Sequence, residues 1–323
     1  MNKKQPLLFL FLLIILLSFK TTHQPPSHTW GFFGHKKINE LAIYGLPKEM
    51  FFFYKENMDY IIEHSVDPDK RRYAVKNEAP CHYIDLDHYY NDENKPYTMP
   101  LYWQDAICQF DEDSLLSHGI VPWQVQKKLH QLTEAFLSRN KQRILQTSAE
   151  LGHYIGDAHV PLHTCSNYNG QKTGQRGIHG LWESRLPELH FDEYQFYPQK
   201  AQYIEHPAQT IWKAVYESHW AVDSVLSFEK KLQSTIPFSQ QKTFEYRGNT
   251  ETNTYSQWYS QQYHHLLNGQ VERRMKKAIA CIAHFWYTAW INAGQPNLQQ
   301  LEDKSWREKL TISKTQKVRE HDQ

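Results

Sequence analysis

The chain has 323 residues, which at roughly 150 residues per domain is compatible with two domains. Charged residues make up 22% and hydrophobic residues 40%, which excludes a disordered chain, and 13 Gly with 15 Pro exclude a collagenous or linker-rich one. The formal net charge of +1 gives no basic excess pointing to nucleic acid and no acidic excess pointing to a solvating tail, while 19 His, 10 Trp, 20 Tyr and 16 Phe stand out.

Residues 1–29 read as a secretory signal peptide. Lys3 and Lys4 form the basic start, and residues 6–19 form an apolar run that stops at Lys20. That run is shorter than the roughly 20 residues of a spanning helix. The reading places the protein in the periplasm or outside the cell, with no transmembrane span in the mature chain. Cleavage would remove Lys3, Lys4 and Lys20 from the 36 basic residues, leaving 33 against 35 acidic ones, a net charge of −2. This balance argues against a general electrostatic grip on nucleic acid. An exported chain can hold disulfides, and Cys81, Cys108, Cys165 and Cys281 allow three pairings. No CxxC is present, so a Cys-based zinc knuckle or redox motif is not expected.

Helix-period patterns fill the rest, and no run of alternating strands is evident. Residues 37–64 predict two helices punctuated near Pro47, and residues 101–117 and 122–139 continue the pattern. Val125, Leu129, Leu132 and Phe136 recur at helical spacing. Residues 141–159 predict a helix stopped by Pro161, and residues 207–232 and 256–292 two more. Residues 91–100, 164–180 and 234–254 read as polar loops, and 299–323 as a loosely attached charged tail. The expectation is one all-α domain over residues 30–298, with no stable protein partner.

The strongest chemical signal is His153-x3-Asp157-x5-His163, followed by His179-x3-Glu183. Residues four apart share a helix face, so each His/acid pair points one way, and imidazole with carboxylate suits zinc. Upstream, His35 follows Trp30 by five residues, Asp67 and Asp69 lie in EHSVDPD, and His82, Asp85, Asp87 and His88 lie in CHYIDLDHY.

Taken in order, these pieces resemble the S1/P1 nucleases and, more broadly, the zinc-dependent phospholipase C superfamily. The resemblance runs from Trp30 to Glu183 and implies an all-α domain with a trinuclear zinc cleft. It assigns Asp67, His82, His153 and Asp157 to one Zn²⁺, and His163, His179 and Glu183 to a second. The third would take the free amino group and carbonyl of Trp30, with His35 and a bridging Asp157. An α-amino group has a pKa near 7.7–8.0, so a nearby Zn²⁺ can displace its proton. That ligand exists only if the leader is cut directly before Trp30.

The implied chemistry is phosphodiester hydrolysis by a hydroxide shared between two zinc ions, with Asp157 as the bridge and Asp67 orienting the nucleophile. Lys70 and Arg71 are candidate phosphate contacts, and Arg185 a weaker one. Asp69, Asp85, Asp87 and His88 are read as outside the ligand set, with Asp85 and Asp87 as acceptors for ligand imidazoles. His159 is read as structural, and His264, His265 and His284 as packing or surface. The Trp30–His35 spacing and the 15-residue step from Asp67 to His82 look like the nucleases, whereas Glu183 and the 16-residue step from His163 to His179 look like the phospholipases C. The expectation is a phospholipase C-like hydrolase. The alternatives are a single-strand nuclease using the same site and, from another class, a non-catalytic zinc-binding exported protein.

Overall fold

The computed structural model describes residues 31–89, 99–247 and 250–301. The leader, Trp30 and the tail beyond Leu301 lie outside the described residues. Helices α1 (Phe32–Ile43), α2 (Lys48–Glu56), α3 (Met58–His64) and the short α4 (Asp67–Arg71) come first. They are followed by α5 (Trp103–Gln109), α6 (Glu112–His118), α7 (Val121–Leu137) and α8 (Lys141–Ala158). Tight 3₁₀ turns at Ala79–His82, Leu86–His88 and Pro161–Thr164 punctuate this half. Next come α9 (Ile178–Gly180), a π-helical turn (Leu181–Arg185) and α10 (Leu186–His190). Helices α11 (Pro207–Trp220), α12 (Val222–Thr235) and α13 (Phe238–Gln241) lead into a hairpin of β1 (Lys242–Arg247) and β2 (Thr250–Tyr255). The fold closes with α14 (Gln257–Leu267) and α15 (Gln270–Asn292).

The all-α expectation holds with one addition. The stretch 234–254, read as loop, carries the antiparallel hairpin, whose register pairs Lys242 with Tyr255 and Arg247 with Thr250. Its signal was Thr- and Tyr-bearing runs on either side of a Gly-Asn dipeptide in the sequence. Four expected helices are each divided. Phe110 and Asp111 separate α5 from α6. Asn57 separates α2 from α3, Ala221 separates α11 from α12, and Asn268 and Gly269 take left-handed φ of 47° and 71° between α14 and α15. Caps fix several starts: the side chains of Asp111, Asn140 and Ser256 accept from the backbone N–H of Ser114, Arg143 and Tyr259. Leu301, assigned to the loose tail, packs against the core. The four cysteines are free thiols, with Cys108 exposed and the others buried. Among the described residues no helix is long and apolar enough to cross a membrane.

Helix α8 is the axis. Every residue from Thr147 to Cys165 is buried, as expected of a helix surrounded on all sides. α1, α3, α7, α11 and α15 all pack on it. Tyr54 stacks on Trp286 at 4.9 Å, and the Trp286 indole N–H donates to the Ser148 carbonyl at 3.0 Å, tying α2 and α15 to the middle of α8.

Two glycines let α1 approach. A Cβ on Gly152 would lie 1.9 Å from Asn39 Oδ1, and one on Gly156 would lie 2.8 Å from Ile38 Cδ1 and 3.0 Å from His35 Nδ1. Asn39 is itself fixed, since its amide donates to the His35 carbonyl at 2.9 Å. In an open helix Gly→Ala stabilises by ~1 kcal/mol. Here the overlap reverses the sign, and Gly152→Ala should destabilise the protein by about 1–3 kcal/mol. Urea unfolding of the two proteins checks it; a more stable variant would mean that the helices are not in close contact.

Candidate metal centre

Three groups of His and acidic side chains converge among the described residues: His35, His153 and Asp157; Asp69, His82 and His153; and His163, His179 and Glu183. Helix α8 supplies His153 and Asp157 on one face. Its Asp157 carboxylate is fully buried, and imidazoles meet it from several directions. One oxygen lies 3.4 Å from His35 Nε2 and 3.2 Å from His163 Nδ1; the other lies 2.9 Å from His82 Nδ1 and 3.2 Å from His153 Nε2. His35 arrives on α1 and stacks on His153 with ring centroids 3.9 Å apart. His82 comes from a 3₁₀ turn. His163 comes from the turn that Pro161 begins, immediately after α8 stops.

The second pole is built on the π-helical turn. His179 Nε2 lies 2.9 Å from Glu183 Oε2 and 3.0 Å from His163 Nε2, so three donor atoms face one point. A π-turn widens the helix locally and is a recurring feature of functional sites. Gly31 packs here, because a Cβ on it would lie 2.5 Å from Ser184 Oγ. The chain immediately after Trp30 is thus docked beside Glu183.

The structure departs from the sequence expectation at one acid. Asp67 is one-third exposed, and its carboxylate meets His64 Nδ1 at 2.5 Å and Lys70 Nζ at 2.9 Å. The carboxylate that enters the cluster belongs to Asp69, set aside in the sequence reading. Its Oδ1 lies 3.6 Å from both His82 Nδ1 and His153 Nε2. Two residues apart on a helix, the pair point in nearly opposite directions, so only one can face inward. The proposed phosphate contacts also move. Lys70 pairs with Asp67, while Arg71 is held by Glu78, Glu150 and the Tyr154 hydroxyl. Arg185 makes a two-pronged bond to Glu245 at 2.7 and 2.5 Å and fastens the hairpin to the π-turn. Of this basic run it is their neighbour Arg72 that lines the cleft, together with Lys242 of the hairpin.

Asp85 and Asp87 do not orient ligand imidazoles. Asp87 accepts from the backbone N–H and hydroxyl of Ser166 and so holds the loop after His163. Asp85 lines the cleft, and burial together with the Asp87 charge pushes its carboxyl up to about 6. The orienting acceptor is instead the Ser65 carbonyl, to which His153 Nδ1–H donates at 2.8 Å, leaving Nε2 for the site. His159 is buried with its Nδ1–H on the Ile155 carbonyl and takes no part. Trp30 lies outside the described residues. His88 stacks on His118, His264 on His190, and His284 Nδ1 accepts from the Gln202 backbone N–H.

Electrostatics favour a cation. Burial raises the Asp157 carboxyl, but His153 and His163 outweigh it and hold the group well below the usual carboxylate range. Burial depresses His163 as well, yet Asp157 and Glu183 overcome it and push its pKa up to about 10. His153 is raised in the same way, against burial, by Asp157 and Asp69. Burial lowers His35 and His82. Both Asp69 oxygens, Glu183 Oε1 and His82 Nε2 are buried with no hydrogen-bond partner among the described residues. A buried carboxylate in that state costs several kcal/mol unless a cation compensates it. Nitrogen and carboxylate donors oriented from behind fit Zn²⁺.

Two predictions follow from this geometry. Asp69→Asn should lower the zinc content of the purified protein, and Asp67→Asn should leave it near normal, as read by elemental analysis; the reverse result would restore Asp67 as the ligand. Without metal, His163 carries its proton at neutral pH because its pKa lies near 10. Zinc needs that lone pair, so binding releases the proton and affinity rises with pH. Calorimetric titration of metal-free protein with Zn²⁺ in buffers of different ionisation enthalpy should show release of at least one proton per chain at neutral pH. Zinc binding without proton release would mean that the imidazole was already neutral.

His82, His163 and His179 line an open cleft of about 740 Å³. No curated protein sequence matches the chain. Among solved structures, it is similar to the alpha-toxin of Clostridium absonum at 14% identity and a TM-score of 0.48, covering 84% of this chain and 65% of that one. A second is the alpha-toxin of Clostridium perfringens isolated from avian strain SWCP, at 13% identity and a TM-score of 0.45, covering 82% and 64%. The chain thus spans slightly less than two thirds of either toxin. The family profile described as S1/P1 Nuclease matches residues 30–301. With that match over nearly the whole described chain, the protein belongs to the S1/P1 nuclease family, within the superfamily of zinc-dependent phosphoesterases.

Proposed function

We propose that the protein is an exported zinc-dependent nuclease that hydrolyses phosphodiester bonds in single-stranded nucleic acid. The family match carries this reading and favours it over the phospholipase C expected from Glu183 and the short His163–His179 step. The cleft supports it. Tyr73, Tyr83, Tyr168 and Tyr255 stand in its walls, with the cations Arg72 and Lys242 and the amides Asn169 and Asn253. Tyrosines are sequence-tolerant platforms for unstacked bases, and cations grip the phosphate between them.

Three zinc ions are proposed, with Asp69, His82, His153 and Asp157 at the first, His163, His179 and Glu183 at the second, and Trp30, His35 and Asp157 at the third. When bound, zinc would supply a water whose pKa is lowered to about 7 and would neutralise phosphate charge. The chain's own residues do the rest. Asp157, anionic, bonded to His82 through one oxygen and approached by His35 and His163 at the other, keeps the two poles in register. Arg72 offers a guanidinium to a phosphate oxygen from the rim. Asp85, with its carboxyl at about 6, can hold or give up a proton at the cleft near neutral pH. Docking of Gly31 on Ser184 supports a mature amino terminus at the site.

The deciding experiment uses zinc-loaded protein beginning at Trp30, assayed on single-stranded RNA, single-stranded DNA and phosphatidylcholine vesicles, with and without chelator. Chelator-sensitive cleavage of nucleic acid is expected. Cleavage of lipid alone would return the phospholipase reading, and tight zinc binding with no cleavage would favour a non-catalytic protein. The same preparation with one residue added before Trp30 should hold one zinc ion fewer.

A further inference from the structure

The hairpin carries an aromatic surface that the metal cleft does not account for. Phe244 and Tyr246 are 66% and 75% exposed. Residues two apart on a strand share a face, so both lie on the face of Lys242. The register places Tyr255 opposite Lys242, Asn253 opposite Phe244 and Glu251 opposite Tyr246. Lys242, Asn253 and Tyr255 line the cleft. This face is therefore a continuation of the cleft wall, leading outward from the metal centre past Phe244 to Tyr246. Thr252 and Thr254 face the other way and also reach the cleft, so β2 runs along its edge.

The hairpin is held for this role. Glu245, between the two aromatics and on the opposite face, is bonded to the buried Arg185 two residues after Glu183. Lys242 Nζ sits 4.9 Å from the centre of the Tyr255 ring, the innermost step of the face. Beyond it come two exposed rings with no cation between them among the described residues of this face, and Glu251 is the residue paired with the outer ring. Such a surface grips flat, apolar groups and not phosphates. A strand rises about 3.4 Å per residue, so the two rings are spaced by about 7 Å along it. That distance leaves each ring free to take a separate base.

We infer that Phe244 and Tyr246 form a distal subsite that stacks bases of a single-stranded nucleic acid lying several nucleotides away from the scissile phosphate. The inference rests on the nuclease reading and adds to it a preference for longer strands. Both side chains project into solvent, so their replacement leaves the core and the metal ligands untouched.

The test compares zinc-loaded wild type with Phe244→Ser/Tyr246→Ser on a dinucleotide and on a single-stranded RNA of about a dozen nucleotides, within the site sizes seen for single-strand grooves. Base–aromatic stacking is worth about 1–3 kcal/mol per base. With two stacks lost, the double variant should therefore raise KM for the long strand by about 30-fold or more, with kcat, zinc content and dinucleotide cleavage unchanged. Equal KM values for wild type and variant on the long strand would overturn the subsite while leaving the nuclease reading intact. Wild type that cuts neither substrate would overturn both. A parallel binding assay on phosphatidylcholine vesicles addresses the other use of paired exposed aromatics. If the substitutions weaken vesicle binding and leave the RNA kinetics alone, the face is a lipid contact and the inference fails.

Discussion

A single buried carboxylate governs this molecule. Asp157 has no exposure to solvent, and its two oxygens are approached by His35, His82, His153 and His163. These imidazoles come from α1, a 3₁₀ turn, α8 and the turn after α8. An anion so placed is tolerated only if positive charge meets it in the folded state, and the imidazoles can serve either as protonated partners or as metal ligands. Folding, protonation and metal loading are consequently linked at one atom group. The layers of helix around α8 are the means of bringing the distant stretches that carry His35 and His82 to α8 and the turn that follows it.

The cleft follows from the same arrangement. Its floor is the edge of the ligand set, which is fixed by the core. Its far wall is the hairpin, which is anchored at its base by the buried Tyr255, stacked on Tyr259, and farther along by the Arg185–Glu245 bond. Arg185 sits in the same helical stretch as His179 and Glu183, so the wall is registered to the second metal pole through six residues of backbone. Asp87 does the equivalent on the other side by holding Ser166, three residues after His163. Carboxylates near the site thus divide between those that point inward and those that hold loops. Burial, not residue type, separates them.

That division explains what could be read in the sequence. The i, i+4 pairs His153–Asp157 and His179–Glu183 were legible because helical spacing alone puts their side chains on one face. The all-α architecture was legible for the same reason, from the periodicity of Val125, Leu129, Leu132 and Phe136. The choice between Asp67 and Asp69 was not. Both lie in a five-residue helix too short to show a buried stripe, and only the tertiary approach of α8 decides which one turns inward. The roles of Arg71 and Arg72 were hidden in the same way, one residue apart. The hairpin was missed because its strands are polar and largely exposed, so no apolar alternation marks them, although the Gly248–Asn249 dipeptide in the sequence was there to be used. The left-handed pair Asn268–Gly269 was an equally available break in what looked like one long helix. The expectation about Trp30 concerns a residue outside those described, and its support comes from the neighbouring Gly31.

The two glycines of α8 extend this beyond the present chain. Gly152 and Gly156 each stand one residue before a metal-facing side chain, His153 and Asp157, and each clears room for α1 and its imidazole. The centre is therefore specified by missing side chains as much as by present ones. A designer grafting this cluster onto another helical bundle would find the right His and acidic side chains insufficient. Unless the host helix were also bare at those two positions, the neighbouring helix would stand off, and the imidazole it carries would fall short of the shared carboxylate.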